Sequence, residues 1–555
     1  MVRATFSGFN TALSALQANQ KRLDITGQNL SNMNTAGYTR QQLEASSLNY
    51  TNPVSHYSNG NETAVGFGVS MDRVSQIRDP YLDIQYRSQS ADCSYTNRLQ
   101  TALNSLSKVL DETTISGIRQ AFDDIQSTLT SMQDPAKVSD PIYESELRTK
   151  MQSVCNLFNQ ASRQITQAEQ NEFQRLTGEG SSEQGDVQKI NDILRQIGDL
   201  NVQIKRNQVA GHPSLELQDE RNLLLDELSG YIPVETRYYK DDAHSGNNAY
   251  DYDANGAVIG KKDWPDDLEV SMNYIDAQGK SQKLILVNGS DLGANGLTKN
   301  YGQLSVLKGD RQTAASVSDP ANISIKFEKA PSYQVNGQAA TDVYAELKGI
   351  HFEGGSLQAS LDMLQKKGTG NVINGSVDDV RGYQYYSEKL DQLADTFAKS
   401  MNASNNGNNH KDQNLLSNST DDSTNGITAG NIGISKGWTS GTIHISTDGT
   451  NRTDTILDMI AAMKDTKKLN GKTFADYMNN LSTQLASDSS SNQTALKTGT
   501  TVLNSIQDSR DSLSGVSLDE EATNMMAYVS AYNAASRLMT ALDEVLNTLI
   551  SNTGA

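Results

Sequence analysis

The chain is poor in the residues that usually anchor compact folds and reaction centres. It has two cysteines in 555 residues, Cys93 and Cys155. That is too few for a disulfide framework, and their spacing is not that of metal ligands. Two free, mostly buried thiols are the expectation, with a single bridge as the other reading. Aromatic residues make up 6% and hydrophobic residues 36% of the chain. The mean hydropathy is −0.57. Such a composition spreads its apolar side chains along thin seams or waits for a partner before folding. No run approaches the roughly 20 apolar residues needed to cross a bilayer. The first twenty residues lack the continuous apolar core of a Sec-type signal peptide. The chain is therefore expected to be cytosolic or to leave by a route that reads an uncleaved N-terminus.

Positive charge is also in short supply. Lys and Arg number 47 against 66 Asp and Glu, a formal charge of −19. Nucleic acid and anionic membrane surfaces are poor partners for such a chain. The six histidines, His56, His212, His244, His351, His410 and His444, are dispersed and form no H-E-x-x-H pattern. Gly471-Lys472-Thr473 resembles the end of a phosphate loop, but Thr466 stands where the first glycine belongs, so a turn before a helix is the reading. Gly66-x-Gly68 lacks the third glycine of a dinucleotide fingerprint. Asp251-x-Asp253-x-Asn255-Gly256 copies the start of a calcium loop, although position twelve is Lys262 rather than a bidentate Glu. A hairpin turn at Asn255-Gly256 explains the same residues. Asp519, Glu520 and Glu521 read as first-turn carboxylates favoured by the helix dipole rather than as catalytic acids. No enzyme chemistry, cofactor or metal is expected.

Periodicity carries more information. Phe6, Phe9, Leu13, Leu16, Gln20, Leu23, Gly27 and Leu30 alternate at three and four residues, a narrow heptad stripe that ends at a turn around Gly37. Val65, Phe67, Val69 and Met71 alternate as in a strand. Asp79-Pro80 starts a helix, and further helices carry Ile118 to Met132, Leu147 to Ile165, Ile190 to Ile204 and Asp219 to Leu228. From Tyr231 to about 375, turn signals separate short alternating runs such as Leu284-Leu286 and Ile323-Ile325-Phe327. Helix resumes from Tyr386 to Met401. Residues 402–435 read as a long loop with a strand or two, and helices return from Leu457. Ser514-Gly515-Val516 breaks the chain, Ser517 to Glu520 forms a capping box, and a last helix runs to Ile550.

The terminal stripes have little to pack on. Each fully buried apolar residue contributes at most about 1.5–3 kcal/mol. Ordering roughly 40 residues of helix costs a comparable total. The first and last helices are thus marginal alone and are expected to fold on assembly with further copies.

Two sequence blocks carry a resemblance. Ile25-Thr26-Gly27-Gln28-Asn29-Leu30-Ser31-Asn32-Met33-Asn34-Thr35-Ala36-Gly37-Tyr38 resembles the signature shared by flagellar rod, hook and hook-associated proteins. Its extension Thr39-Arg40-Gln41, and the C-terminal block from Ser514-Gly515-Val516 through Glu520, Glu521 and Met525-Met526 to Leu546, are similar to the hook-associated family. The likeness is specific over about 1–130 and 380–555 and weak across 231–375, and the two cysteines depart from the family pattern. It implies a non-enzymatic structural subunit of the bacterial flagellum, extracellular and exported uncleaved through the flagellar type III apparatus. It implies a ring of identical subunits between the hook protein and the next hook-associated protein, with a cytosolic export chaperone masking the C-terminal helix.

The combined expectation is an α+β, elongated, multi-domain chain. A terminal α-helical coiled coil comprises 1–40 with 515–555, a mainly helical bundle middle domain comprises 41–230 with 376–514, and a β-rich inserted domain comprises 231–375. The assembly interface is expected to join Phe9, Leu13, Leu16, Leu23 and Leu30 with Met525, Val529, Tyr532, Met539, Leu542 and Leu546. The family motif comprises Asn29, Leu30, Asn32, Thr35, Gly37 and Tyr38 together with Ser514, Gly515, Val516, Glu520 and Glu521. The alternatives are a hook or distal-rod protein, or a surface adhesin or glycan binder acting through the β insertion.

Overall fold

The computed structural model describes residues 6–48, 68–110, 117–138, 140–210, 212, 214–240, 250–252, 258–261, 266–275, 280–289, 300–308, 313–328, 334–335, 338–339, 344–347, 351–373, 376–407, 411–446 and 453–553. Its helices, in chain order, are α1 (Phe6–Asn32), α2 (Pro80–Leu110), α3 (Ile118–Ser131), α4 (Pro135–Val138), α5 (Pro141–Thr177), α6 (Asp186–Val209) and α7 (Leu215–Tyr231), followed by α8 (Gly355–Gln365), α9 (Tyr383–Asn406), α10 (Lys436–Ser440), α11 (Asp454–Lys464), α12 (Phe474–Ser514) and α13 (Leu518–Thr553). The boundaries follow local chemistry. Asp79 accepts the Tyr81 N–H at 2.9 Å where α2 begins with proline. Asp140 accepts from Ile142 at 2.9 Å at the proline start of α5, which ends at Gly178 in the left-handed region.

The apolar core runs from Ala102 to Leu485 and joins α2, α3, α5, α6, α7, α8, α9, α11 and the first turns of α12. At its centre, Phe122 of α3 meets Phe158 of α5 at 6.0 Å between ring centroids, Phe397 of α9 at 5.1 Å and Phe474 of α12 at 5.5 Å. These edge-on and tilted contacts suit the ring quadrupoles. Beyond Leu485, α12 continues as one face of an antiparallel pair with α2 that is held by polar groups. Asn492 donates to Thr96 O at 2.9 Å, and Gln100 donates to Ser489 at 2.8 Å.

The β structure is a set of small antiparallel sheets. Strands Glu235–Lys240, Asp266–Ile275, Ser281–Asn288 and His351–Phe352 form one sheet, and Gln303–Lys308, Ile323–Glu328 and Tyr344–Leu347 form another. The strands expected around Leu284 and Ile323 are therefore present. Residues 231–375 are not purely β, however. Helix α8 lies within them and is buried on all sides, from Leu357 to Leu364. It packs on α2 in the helical body. Its polar residues Gln358, Ser360 and Asp362 are buried with hydrogen-bond partners rather than gathered on an exposed stripe, and its glycine-rich flank reads as a turn. The strand expected at 65–71 is seen as Val69–Gln76, paired with Gln41–Ser47; Val65 and Phe67 lie outside the described residues.

The accessible surface is 29695 Å². A compact chain of 60.4 kDa exposes about 19,000 Å². The molecule is an elongated, helix-rich α+β structure. Among the described residues, no helix is long and apolar enough to cross a membrane.

Candidate assembly surface

Helices α1 and α13 pack side by side, yet neither contributes a residue to the apolar core. Residues on α1 that the chain buries are Ala12, Ala18, Asn19, Ile25, Thr26 and Asn29. Positions 12, 19 and 26 repeat every seven residues, as do 18 and 25, and apart from Ile25 the buried strip is made of small or polar residues. The large apolar residues lie beside it. Phe9, Leu16, Leu23 and Leu30 are only partly buried, and Leu13 is 46% exposed. Gly8 sits against Leu542, where an added Cβ would lie 3.3 Å from a methyl group. The Arg22 guanidinium lies 5.6 Å from the centre of the Tyr528 ring.

On α13 the side turned toward the rest of the chain carries Glu521, Met525, Tyr528, Ala535, Met539, Leu542 and Leu546, mostly at alternating spacings of four and three. Glu521 and Ala535 are buried and the others partly so. Val529 and Tyr532, expected on the seam, are 43% and 37% exposed. Met526, Leu538, Val545, Leu549 and Ile550 are also exposed. A pair of helices with this much uncovered apolar surface has unfilled packing capacity.

The sequence motifs at the two ends meet at the base of this pair. The Asn29 amide donates to Gln41 O at 3.0 Å and accepts from Gln41 N at 2.9 Å and from the Tyr38 hydroxyl at 2.9 Å. One buried side chain thus closes the turn between α1 and the strand that starts at Gln41. Within the turn, Thr35 N–H donates to Asn32 O at 2.9 Å, and Gly37 has φ +77°, a conformation glycine adopts at no steric cost. Thr39 N–H donates to the Asp219 carboxylate at 3.1 Å, seating the turn on α7. Burial pushes the Asp219 carboxyl above its ordinary value, against the Thr39 hydrogen bonds and the Arg78 charge. Burial and the nearby carboxylates Glu216, Asp219 and Glu521 likewise raise the Tyr38 phenol.

At the other end, Ser514 and Gly515 close α12. Ser514 O accepts the Arg40 N–H at 2.9 Å, and Gly515 N–H donates to Asp511 O at 2.9 Å. An added Cβ on Gly515 would lie 2.3 Å from that oxygen. The capping box is half-formed. Glu520 N–H lies 3.5 Å from the Ser517 hydroxyl, but the Glu520 carboxylate turns away to Arg40 at 2.6 Å, while Glu521 takes Arg40 Nε at 2.8 Å. The network continues inward: Arg510 reaches Asp83 at 3.1 Å and Asp226 at 2.7 Å, and Arg78 holds Asp83 at 2.5 Å. Sequence reasoning gave no site role to Asp219, Arg510 or Asp83. Apart from the local Arg78–Asp83 pair, their partners lie more than a hundred residues away, and no spacing rule links them.

Thr473 caps α12 through Asp476 N–H at 3.2 Å. Cys93 and Cys155 are free and buried, and burial pushes the Cys155 thiol up to about 12. Asp253, Asn255 and Gly256 of the calcium-like run lie outside the described residues. No group of three or more metal-ligating side chains occurs among the described residues.

Three family models match the chain. Residues 103–260 match the flagellar hook-associated protein FlgK helical domain, residues 9–39 the flagella basal body rod protein, and residues 509–552 the flagellar basal body rod FlgEFG protein C-terminal region. The flagellar hook-associated protein 1 of Bacillus subtilis (strain 168) is 29% identical over 567 residues, covering 99% of both chains. The protein of that name from Escherichia coli (strain K12) is 28% identical over 229 residues, 41% of this chain and 39% of its own. The solved flagellar hook junction protein FlgK from Burkholderia pseudomallei aligns with 60% of this chain and 44% of its own, at 19% identity and a TM-score of 0.37.

Proposed function

We propose that the chain, similar over 99% of its length to a flagellar hook-associated protein, is a structural member of that family and forms a ring of identical subunits joining hook to filament. The α1–α13 pair is its assembly element. Neighbouring copies cover the apolar residues that the pair leaves open, and the hook protein and the next hook-associated protein lie below and above the ring. Helices α2 to α12 and the sheets form the outer body. The chain is exported uncleaved, with a cytosolic chaperone covering α13 until assembly.

One observation supports this reading above the rest: two helices of 27 and 36 residues pack on each other with no share in the apolar core. An isolated pair of that kind lacks the burial to offset its ordering cost. The match at 103–260 favours the hook-associated branch over hook or rod proteins.

The test is Leu16→Asp or Leu542→Asp in cells. Each substitution is expected to abolish incorporation into the flagellum while leaving the purified body folded, as read by circular dichroism and urea unfolding. Normal flagella carrying either variant would remove the seam assignment.

A further inference from the structure

The chain passes between the body and the terminal pair twice, outward at 33–40 and back at 514–518. Arg40 touches both passages. Its N–H donates to Ser514 O at 2.9 Å, and its carbonyl accepts the Ile77 N–H at 2.8 Å. Its guanidinium spans two successive carboxylates, Glu520 at 2.6 Å and Glu521 at 2.8 Å. Glu521 is almost wholly buried. A carboxylate in that setting requires a compensating donor, since an unpaired buried charge is strongly unfavourable. No residue of the apolar core lies in either passage. Beside the packing of α1 on α13, the Arg40 contacts are a polar link between the two passages themselves.

We propose that Arg40 is a positioning residue that couples the two passages, so that the terminal pair leaves the body in a single direction. The guanidinium fork suits the task. Its donors sit on separate nitrogens of a rigid plane and reach two carboxylates on adjacent residues at once, whereas lysine carries its donors on one nitrogen at the end of a flexible stem. The coupling is reciprocal, so loosening either passage loosens the other. Its consequence for ring geometry rests on the assembly reading above, but the coupling itself is a property of the single chain.

The test is hydrogen exchange on the full-length, unassembled chain, followed in peptides covering 38–48 and 512–524 and in the body helix α5. Arg40→Gln and Glu521→Gln are each expected to speed exchange at least tenfold in both peptides, with α5 unchanged. Arg40→Lys is expected to give an intermediate rate. Arg73→Gln, which removes the exposed pair with Glu44, serves as a surface control and leaves both peptides as they were. Acceleration confined to the peptide carrying the substitution overturns the proposal. So does full exchange of both peptides in the native chain, or loss of α5 protection in the glutamine variants. A chain that keeps the coupling yet fails to form rings would instead count against the assembly reading.

Discussion

Helices α5 and α13 are nearly equal in length, 37 and 36 residues, and both carry apolar residues at three-four spacing. Helix α5 buries Leu147, Met151, Val154, Phe158, Ile165, Phe173 and Leu176. Helix α13 buries Ala535 and Glu521 and leaves Met526, Val529, Leu538, Val545 and Leu549 exposed, although it is the more apolar sequence. The difference lies in the number of neighbours. Helix α5 is enclosed by α2, α3, α6, α8 and α9, whereas α13 lies chiefly against α1. A helix flanked on one side can bury only one stripe, however apolar the rest of its surface. Periodicity therefore reports that a face seeks a partner, and not whether the same chain supplies it.

The sharpest way to break this contrast is at the aromatic centre. Phe122→Ala removes a ring that touches three others, and large-to-small changes at such sites cost about 3–5 kcal/mol. Urea unfolding of the purified protein is expected to show a loss of that size, and a loss below about 1 kcal/mol would mean the body is not organised around these rings.

A smaller effect is expected where one carboxylate holds a loop of the body. Asp378 accepts the N–H groups of Lys367 and Gly368 at 2.9 Å each, and the N–H and hydroxyl of Thr369 at 3.0 and 2.7 Å. Burial by itself raises this carboxyl, but the Thr369 hydroxyl and the three N–H groups outweigh it and hold the group below its ordinary value. A depressed carboxyl stabilises the fold fully above its ordinary value of about 3.9, and that contribution is lost as pH falls through the lower folded value. Asp378→Asn is expected to cost about 1–2 kcal/mol at neutral pH, with the gap to the native protein closing below about pH 4. A gap that stayed constant down to pH 3 would show that the carboxylate charge does not matter. Asp219, at the base of the terminal pair, shifts the other way, so its contribution shrinks as pH rises through its folded value.

The smallest change in stability, and the most discriminating one, is expected on α13. Val545 is 61% exposed, so Val545→Ser is expected to alter the unfolding free energy of the single chain by less than about 0.5 kcal/mol. Incorporation into the flagellum is expected to fall nonetheless. If incorporation were untouched and stability dropped, α13 would be packed within its own chain after all.

Much of the architecture was legible along the chain. The starts of α2 and α12, the break at Ser514-Gly515 and the strands at Leu284 and Ile323 followed from capping, turn and alternation rules that act over a few residues. Helix α8 did not, because burial on every side erases the stripe that periodicity detects. The side of α1 that the chain buries was also hidden. Its small residues Ala12, Ala18 and Asn19 make a quieter pattern than the leucines beside them. The polar joint was half visible: Asn29, Tyr38 and Glu521 stood in the motifs, while Asp219 and Arg510 belonged to no local pattern.

The sequence by itself determined that helices with three-four spacing stand at both ends of a chain lean in apolar residues, because spacing and composition are local properties. Only the tertiary structure decided which residues those helices bury and that Arg40 meets Glu521 across 480 intervening positions. A hydrogen bond acts over about 3 Å, and distance along the chain carries no information about distance in space until the fold has brought the groups together.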